Sequence, residues 1–159
     1  MTSVTANLTR HPMRRVVLAA AAGAAVLSAA PVASAAIAPQ AAASVSSPAL
    51  QAMNVALAQQ GKPYVYGATG PGAFDCSGLT QFAYGQAGIE LPRTSEAQAG
   101  VGVPVNADQL QPGDLVFAYG GGHVGIYTGD GKYVYAPTEG QSVKVGSVPF
   151  AEVTALRHL

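Results

Sequence analysis

The stretch that decides the fold is Phe74-Asp75-Cys76-Ser77-Gly78-Leu79, which predicts the start of a helix with a cysteine in its first turn. Asp75 is a residue type that caps helix N-termini, and apolar residues follow at helical spacing. Unpaired N–H groups and the positive end of the helix dipole meet at this position and favour a thiolate. Because the thiolate is the nucleophilic form of cysteine, Cys76 is a candidate nucleophile.

Cys76 is also the only cysteine among the 159 residues. Exported proteins mostly use cysteines in pairs, so a single one indicates a working thiol, an intermolecular disulfide or a small buried apolar side chain. The glycine and small side chains around Cys76 keep the sulfur reachable. The local sequence therefore favours the working thiol.

Helical patterns lie on both sides of this stretch. Ser47-Pro48 predicts an N-cap with proline at the first helical position, and Leu50, Met53 and Leu57 fall on one face of a helix that ends at Gly61. The helix that begins at Cys76 is expected to bury Leu79, Phe82 and Ala83 and to end at Gly88, with Thr94 or Ser95 capping a short third helix.

From Leu110 onward the pattern changes to strands. Predicted strands cover residues 115–119, 123–127, 132–136, 142–145 and 153–156. The pair Asp130-Gly131 is a strong hairpin signal between the second and third of these. Helices first and strands afterwards predict an α+β domain with a segregated antiparallel sheet.

His123 is the candidate base for the thiol. It follows the glycines at 120–122, where a backbone can approach a site closely, and it opens a predicted strand. His158 lies one residue from the end of the chain and is less well placed. One histidine, one cysteine and scattered carboxylates do not make a tetrahedral ligand set, so neither a metal nor another cofactor is expected.

Five segments, in this order, resemble the NlpC-type cell-wall peptidase family. They are Pro63-Tyr64-Val65-Tyr66-Gly67, residues 74–79, Leu91-Pro92-Arg93-Thr94-Ser95, residues 111–117 and Gly122-His123-Val124-Gly125-Ile126-Tyr127. The resemblance runs from about Leu50 to Leu156. It implies a papain-like fold and hydrolysis of peptide bonds in the stem peptides of peptidoglycan. The usual target of the family is the bond between D-glutamate and the diamino acid.

The resemblance also implies a role for each matching residue. Cys76 matches the nucleophile and His123 the general base. Tyr64 matches a tyrosine beside the cysteine that helps to bind the oxyanion or the substrate. Asp75 and Ser77 match residues that flank the substrate subsite, and Asp75 can equally be a helix cap.

Three further residues match family positions without a clear chemical role. Arg93 matches a recurrent arginine, for which structural and functional roles are equally open. Gly113 and Asp114 are expected only to shape a turn.

One position departs from the family pattern. The third polar residue of the family accepts a hydrogen bond from Nδ1–H of the base, and the register places it at Tyr135. A phenol oxygen can accept that bond but stabilises an imidazolium less than a carboxylate does. Tyr135 is therefore a working substitute, a weakened third member, or a bystander whose role passes to a backbone carbonyl or to Glu139.

The N-terminal region is expected to be a leader. Arg14-Arg15 precede an uncharged run rich in Ala, Val and Leu over 16–30, and Ala33-Ser34-Ala35 has the A-x-A cleavage pattern. The run is shorter than the roughly 20 apolar residues that span a bilayer, which favours a cleaved signal peptide over an anchor. Cleavage is expected after Ala35, with Ala38 as the second choice and Met13 as an alternative start.

The sequence thus divides into a signal peptide over 1–35, a flexible linker over 36–48 and a peptidase domain over 49–159. Beyond residue 35, five basic residues face eight acidic ones, a net charge of −3. A mildly acidic chain without a basic patch argues against nucleic acid as a partner. No membrane contact is expected after cleavage, and the protein is expected to act as a secreted, cell-wall-associated monomer.

These observations predict a secreted cysteine peptidase that acts on peptidoglycan stem peptides. Two alternatives stay open: a wall-binding module of the same fold that lost turnover, which Tyr135 favours, and a papain-like enzyme with another amide chemistry, such as a toxin or acyltransferase. The peptidase interpretation requires the Cys76 sulfur to lie within hydrogen-bonding reach of the His123 imidazole and outside the sealed core.

Overall fold

The computed structural model describes residues 47–159. The predicted signal peptide and the linker up to residue 46 lie outside the described residues, and the proposed domain boundaries stay predictions. Within residues 47–159, three α-helices precede a six-stranded antiparallel sheet, which confirms the predicted α+β class. No helix in this part of the chain has the length and apolar character needed to cross a bilayer.

Helix α1 spans Pro48–Leu57 and begins as predicted, with the Ser47 hydroxyl accepting from the backbone N–H of Leu50. Its buried face consists of three alanines, Ala49, Ala52 and Ala56. The expected face of Leu50, Met53 and Leu57 is wrong, since Leu50 is exposed and the other two are only partly buried. Small side chains occupy the buried face because α1 packs closely against the next helix.

Helix α2 spans Cys76–Gln86 and starts at the predicted residue. Asp75 is its N-cap, and Oδ1 of Asp75 accepts from the backbone N–H of Gly78 at 2.7 Å. Tyr84, which the sequence did not single out, is fully buried on α2 and its hydroxyl donates to the carbonyl of Gly113. The helix is thereby fixed at its start by a cap and near its end by a hydrogen bond.

Helix α3 spans Ser95–Gln98, with Thr94 as its N-cap. The strands are β1 Val103–Pro104, β2 Leu115–Ala118, β3 His123–Gly129, β4 Lys132–Tyr135, β5 Lys144–Ser147 and β6 Val153–His158. They form one sheet in the order β1-β6-β2-β3-β4-β5, so β2 to β5 are a meander and β6 returns beside β2. The sequence missed β1 and placed β5 two residues early.

The β3–β4 hairpin forms where the sequence predicted it. Gly129 pairs with Lys132, and the two residues between them have positive φ, 52° at Asp130 and 67° at Gly131. Positive φ at both central positions is the geometry that Asp-Gly favours in two-residue hairpins. The hairpin sets the register that brings β4 alongside β3.

The two faces of the sheet are covered differently. Alternate residues of β2 and β3 pack with Leu79 of α2 in the main core, among them Phe117 and Val124. The opposite face carries a smaller apolar cluster around Val116 and Tyr133. The start of α2 lies next to the start of β3, where the Cys76 sulfur contacts the carbonyl of Gly122, and the candidate site lies there.

Candidate active site

Cys76 is half-buried and lines a cavity of about 370 Å³, here called the cysteine cavity. Other residues lining it include Tyr64, Tyr66, Asp75, Ser77, Arg93 and Gly122. The sulfur contacts the carbonyl oxygen of Gly122 at 4.0 Å. It is therefore not sealed in the core, and the cavity gathers Tyr64, Asp75 and Ser77 around it as the sequence analysis expected.

The carboxylate of Asp75 is held by an ion pair and hydrogen bonds. Nη2 of Arg93 lies 2.5 Å from Oδ2, and Nη1 donates both to Oδ1 at 3.1 Å and to Oγ of Ser77 at 2.9 Å. The backbone N–H of Gly67 also donates to Oδ2 at 2.9 Å. Asp75 therefore caps α2 and joins the loop before it, and Arg93 fixes both residues that flank the expected subsite.

The same contacts set the protonation of Asp75. Burial acts to raise the pKa of the carboxyl, but the hydrogen bonds from Arg93 and from Gly78, together with the Arg93 charge, outweigh burial and lower the pKa. Asp75 is thus ionised at neutral pH, and its charge is balanced by the guanidinium beside it.

Burial raises the pKa of the Cys76 thiol. The backbone N–H groups of Val124, Ser77 and Cys76 itself act to lower this pKa, as a helix N-terminus should, and the Asp75 charge acts to raise it. The expectation of a lowered thiol pKa is therefore wrong in this structure, because desolvation of the thiolate exceeds the effect of the helix start.

His123 begins β3 and lies among tyrosine rings. Its ring centroid is 5.4 Å from that of Tyr135, 6.1 Å from Tyr119 and 6.3 Å from Tyr133. With Gly122 and Pro137, these residues line a second cavity of about 380 Å³, here called the tyrosine cavity. Burial lowers the pKa of His123, which favours the neutral imidazole that a general base requires.

Gly122 lines both cavities and connects the two candidate catalytic residues. The Cys76 sulfur contacts the carbonyl of Gly122, and the N–H of Val124 acts on its pKa, so both chain neighbours of His123 lie at the sulfur. Among the hydrogen bonds of residues 47–159, none joins Cys76 to His123 directly. The hydrogen bond between sulfur and imidazole that the peptidase interpretation requires is therefore not observed in this structure. Catalytic hydrogen bonds often tighten only when substrate binds, and the pairing of Cys76 with His123 stays a prediction.

Tyr135 contacts the imidazole through its ring. The two rings are nearly perpendicular at 87°, while Tyr135 stacks on Tyr133 with centroids 4.3 Å apart. The Tyr135 hydroxyl lies against Gly146 of β5, where a Cβ would be 3.1 Å from it. In the part of the chain that the structure describes, this hydroxyl makes no hydrogen bond to His123, so the expected acceptor role is not observed.

Tyr64 lines the cysteine cavity together with Cys76. Burial raises the pKa of its phenol, and the charges of Cys76, Asp75 and Glu139 act in the same direction. The phenol is therefore protonated at neutral pH and available as a donor on the wall of the cysteine cavity.

Gln98 is a fully buried residue that the sequence analysis missed. Its Nε2 donates to the carbonyls of Ser77 at 3.0 Å and Pro92 at 2.9 Å, and its Oε1 accepts from the Thr80 hydroxyl at 2.7 Å. These bonds hold α3 against the first turn of α2. A polar residue on a four-residue helix gives no sequence signal for this role.

Asp114 does more than shape a turn, and that expectation is wrong. Its side chain is fully buried, Oδ2 accepts from the N–H of Gln111 at 2.8 Å, and Oδ1 lies 2.6 Å from Nδ1 of His158. His158 lines neither cavity. Residues 47–159 contain no group of three His, Cys, Asp or Glu side chains placed to hold a metal ion.

Several known proteins are similar to this chain in sequence. A model of the NlpC/P60 family matches residues 61–154. A "Probable endopeptidase" of Corynebacterium glutamicum is 58% identical over 77 residues, covering 48% of this chain and 37% of that protein. One of Mycobacterium tuberculosis is 49% identical over 94 residues, covering 58% of this chain and 24% of that protein. The chain thus spans well under half the length of these curated relatives.

Solved structures agree with the sequence matches. The peptidoglycan hydrolase RipB of Mycobacterium tuberculosis superposes with a TM-score of 0.64 at 30% identity, covering 70% of this chain and 64% of that chain. The P60 domain of an antigen from M. avium subspecies paratuberculosis has the same score and identity, covering 69% of this chain and 93% of that chain. These likenesses confirm the papain-like fold class.

Proposed function

The chain belongs to the NlpC/P60 family, and we propose that it is a cysteine peptidase that hydrolyses the stem peptides of peptidoglycan. The observation that carries this proposal is the half-buried Cys76 sulfur at the start of α2, opening into a cavity whose polar wall is fixed by Asp75 and Arg93. The names of the relatives, endopeptidases and a peptidoglycan hydrolase, point to the same chemistry.

The proposed target is the bond between D-glutamate and the diamino acid. The resemblance of five motifs to the NlpC-type peptidases supports this choice. Export by the predicted signal peptide over 1–35 would bring the protein to this substrate, where we propose that it acts as a monomer. Digestion of a purified muropeptide tests the bond, localisation tests the export, and size-exclusion chromatography tests the oligomeric state.

The proposed reaction begins with two neutral groups. Burial raises the pKa of Cys76 and lowers that of His123, and both shifts favour the neutral form of each group before substrate binds. The imidazole takes the thiol proton as the sulfur attacks the carbonyl carbon of the stem peptide, and a tetrahedral oxyanion forms. The phenol of Tyr64 and backbone N–H groups at the start of α2 are the donors available to this oxyanion.

The second half of the reaction returns the enzyme to its initial state. The imidazolium of His123 gives its proton to the leaving nitrogen, the C–N bond breaks, and an amine departs from a thioester on Cys76. The neutral imidazole then accepts a proton from water, whose oxygen attacks the thioester, and the sulfur leaves and recovers the proton. Asp75 and Arg93 hold the wall against which the acyl part of the substrate lies.

The deciding test is cleavage of a muropeptide that contains the D-glutamyl–diamino acid bond, with products identified by mass. We expect the wild-type chain to cleave it and Cys76→Ala to show no cleavage, since the nucleophile is lost. Glu152→Gln, a change at an exposed residue that lines neither cavity, is the control and should retain activity. Unimpaired cleavage by Cys76→Ala would refute the proposal.

A wall-binding module is the second candidate function. It is favoured by the absence of a Cys76–His123 hydrogen bond among the described residues and by the ring contact of Tyr135 with His123. This alternative predicts that the wild type binds the muropeptide in calorimetry but releases no product.

A further inference from the structure

Tyr119 has no role in the proposed reaction, although its ring lies beside the candidate base. We propose that Tyr119 is a positioning residue: its ring covers the imidazole of His123, excludes water from it and holds it in place for proton transfer. The inference rests on the proposed function, because it concerns the base of the same reaction. It assigns to Tyr119 no contact with the substrate.

The backbone of Tyr119 is unusual for so large a residue. Among residues 47–159, the non-glycine residues with positive φ are Tyr119 at 54° and Asp130 at 52°. Asp130 lies in the two-residue turn of the β3–β4 hairpin, where aspartate is a favoured residue. A left-handed backbone is unfavourable for a bulky side chain and favourable for glycine. Residues held in such conformations cluster at functional sites, so the ring of Tyr119 is expected to have a function.

Packing of the core does not account for this ring. Tyr119 is 59% exposed, and it belongs to neither apolar cluster of the described residues. Its ring packs against the imidazole of His123, with centroids 6.1 Å apart and an angle of 55° between the planes. Both residues line the tyrosine cavity. A tyrosine that gains little from burial and keeps an unfavourable backbone is explained by the imidazole that its ring covers.

The other rings at the imidazole come from β4 and hold each other in place. Tyr133 and Tyr135 approach the imidazole edge-on at 87°, and they stack on one another with centroids 4.3 Å apart. Tyr133 is buried and Tyr135 half-buried, so Tyr119 is the most exposed of the three tyrosines. Water therefore reaches the imidazole most directly where Tyr119 covers it, and loss of that ring opens the base to solvent.

Exclusion of water matters because burial sets the protonation of His123. Burial lowers the pKa of the imidazole and favours its neutral form, and within residues 47–159 no carboxylate contributes to this shift. A charge near the group is the ammonium of Lys144, which lies over the Tyr135 ring, 5.9 Å from the centroid. The titratable side chains that face the imidazole are three phenols and, across Gly122, a thiol: Tyr119, Tyr133, Tyr135 and Cys76. Opening the imidazole to water should therefore raise its pKa.

The first test compares two variants that remove the ring, Tyr119→Asn and Tyr119→Gly, in the full chain. Asparagine and glycine both tolerate a left-handed backbone, but only glycine adds flexibility to the loop. In both variants, kcat for the muropeptide should fall on the order of tenfold with KM changed less, because the base is less well placed. Since the reaction needs a neutral imidazole, activity should be lost at a higher pH on acidification than in the wild type. A change in Tyr119→Gly alone would assign the effect to loop flexibility and overturn the inference.

Two further variants are matched controls. Tyr119→Phe keeps the ring and should keep the wild-type pH profile. Phe150→Ala removes an aromatic ring that is 49% exposed near Gly131 of the β3–β4 turn, and should change neither the pH profile nor kcat. If Tyr119→Phe had the pH profile of Tyr119→Asn, the function would belong to the hydroxyl and the shielding role of the ring would be overturned.

Titration followed by nuclear magnetic resonance separates this inference from the proposed function. The imidazole signals of the full chain are assigned with His123→Ala and His158→Ala. The midpoint of His123 should rise in Tyr119→Asn, while that of His158, which lines neither cavity, should not move. Wild-type protein that cleaves no muropeptide would end the proposed function, and the titration would still decide whether the ring shields the imidazole. An unchanged His123 midpoint, or equal shifts of both histidines, overturns the inference.

Discussion

The two histidines within residues 47–159 have opposite surroundings. Nδ1 of His158 lies 2.6 Å from a carboxylate oxygen of Asp114, whose side chain is fully buried. His123 lies among the rings of Tyr119, Tyr133 and Tyr135, and in the described part of the chain its imidazole has no hydrogen bond to a side chain. A carboxylate partner is expected for a catalytic base, but the histidine that has one is His158, which lines neither cavity.

The surroundings of each histidine indicate its role. Leu115 of β2 pairs with Arg157 of β6, so the Asp114–His158 contact extends the ladder between these strands by one side-chain bond. A histidine held in this way stabilises the sheet. Among residues 47–159, the side chains recorded against the His123 ring are tyrosine rings, and burial lowers the pKa of His123, which favours the neutral imidazole. A neutral imidazole at His123 can accept the proton of the Cys76 thiol in the proposed reaction.

The largest expected effect separates the two histidines by activity. His123→Ala should lower kcat/KM for the muropeptide by at least on the order of 10²-fold, because it removes the proposed general base. His158→Ala should keep kcat/KM within about threefold at temperatures below its melting point, since His158 lines neither cavity. Steady-state kinetics with circular dichroism melting measures both, and equal losses in the two variants would remove the distinction.

The next effect concerns stability. Asp114→Asn places an amide where a buried carboxylate accepts from His158 and Gln111, and should lower the free energy of unfolding by about 2 kcal/mol in urea titrations. In the background of His158→Ala the same change should cost less, because one partner is already gone. Additive losses would show that the two residues do not act as a pair.

A control for this pair lies in the β3–β4 turn. Asp130→Asn changes an exposed carboxylate at a position with φ of 52°, which asparagine tolerates. Its unfolding free energy should stay within about 0.5 kcal/mol of the wild type. A comparable loss at both positions would mean that removing any carboxylate destabilises the protein.

Local signals explain which parts of the fold could be predicted from the sequence. The Asp75 cap, the proline at the start of α1 and the Asp-Gly turn depend on neighbours within four residues, and each forms as expected. The buried face of α1 could not be predicted from hydrophobicity, because the close approach of α2 selects the alanines over Leu50. That choice depends on a partner helix that periodicity does not reveal.

The candidate site likewise has features that the sequence predicted and features that it did not. The motifs placed Tyr64, Asp75 and Ser77 around Cys76, and the structure gathers them in one cavity. The raised pKa of the thiol was missed because it depends on desolvation by distant segments. The Asp114–His158 contact joins residues 44 positions apart, and neither position carries a local pattern that would indicate it.

The smallest expected effect tests whether Tyr135 acts through its ring or its hydroxyl. Because the hydroxyl lies against Gly146 and the ring packs on His123, Tyr135→Phe should leave kcat/KM within about twofold. Tyr135→His, which restores the residue type usual at this position in the family, should leave activity intact or raise it.

Tyr135→Ala completes this series, because it removes the ring that packs against the imidazole. If orientation of His123 depends on that ring, kcat/KM should fall in Tyr135→Ala more than in Tyr135→Phe, with KM changed less than kcat. A loss in Tyr135→Phe as large as in Tyr135→Ala would instead assign the function to the hydroxyl. His123 would then depend on a polar partner during turnover, as His158 does in the resting fold, and the contrast between the two histidines would not extend to catalysis.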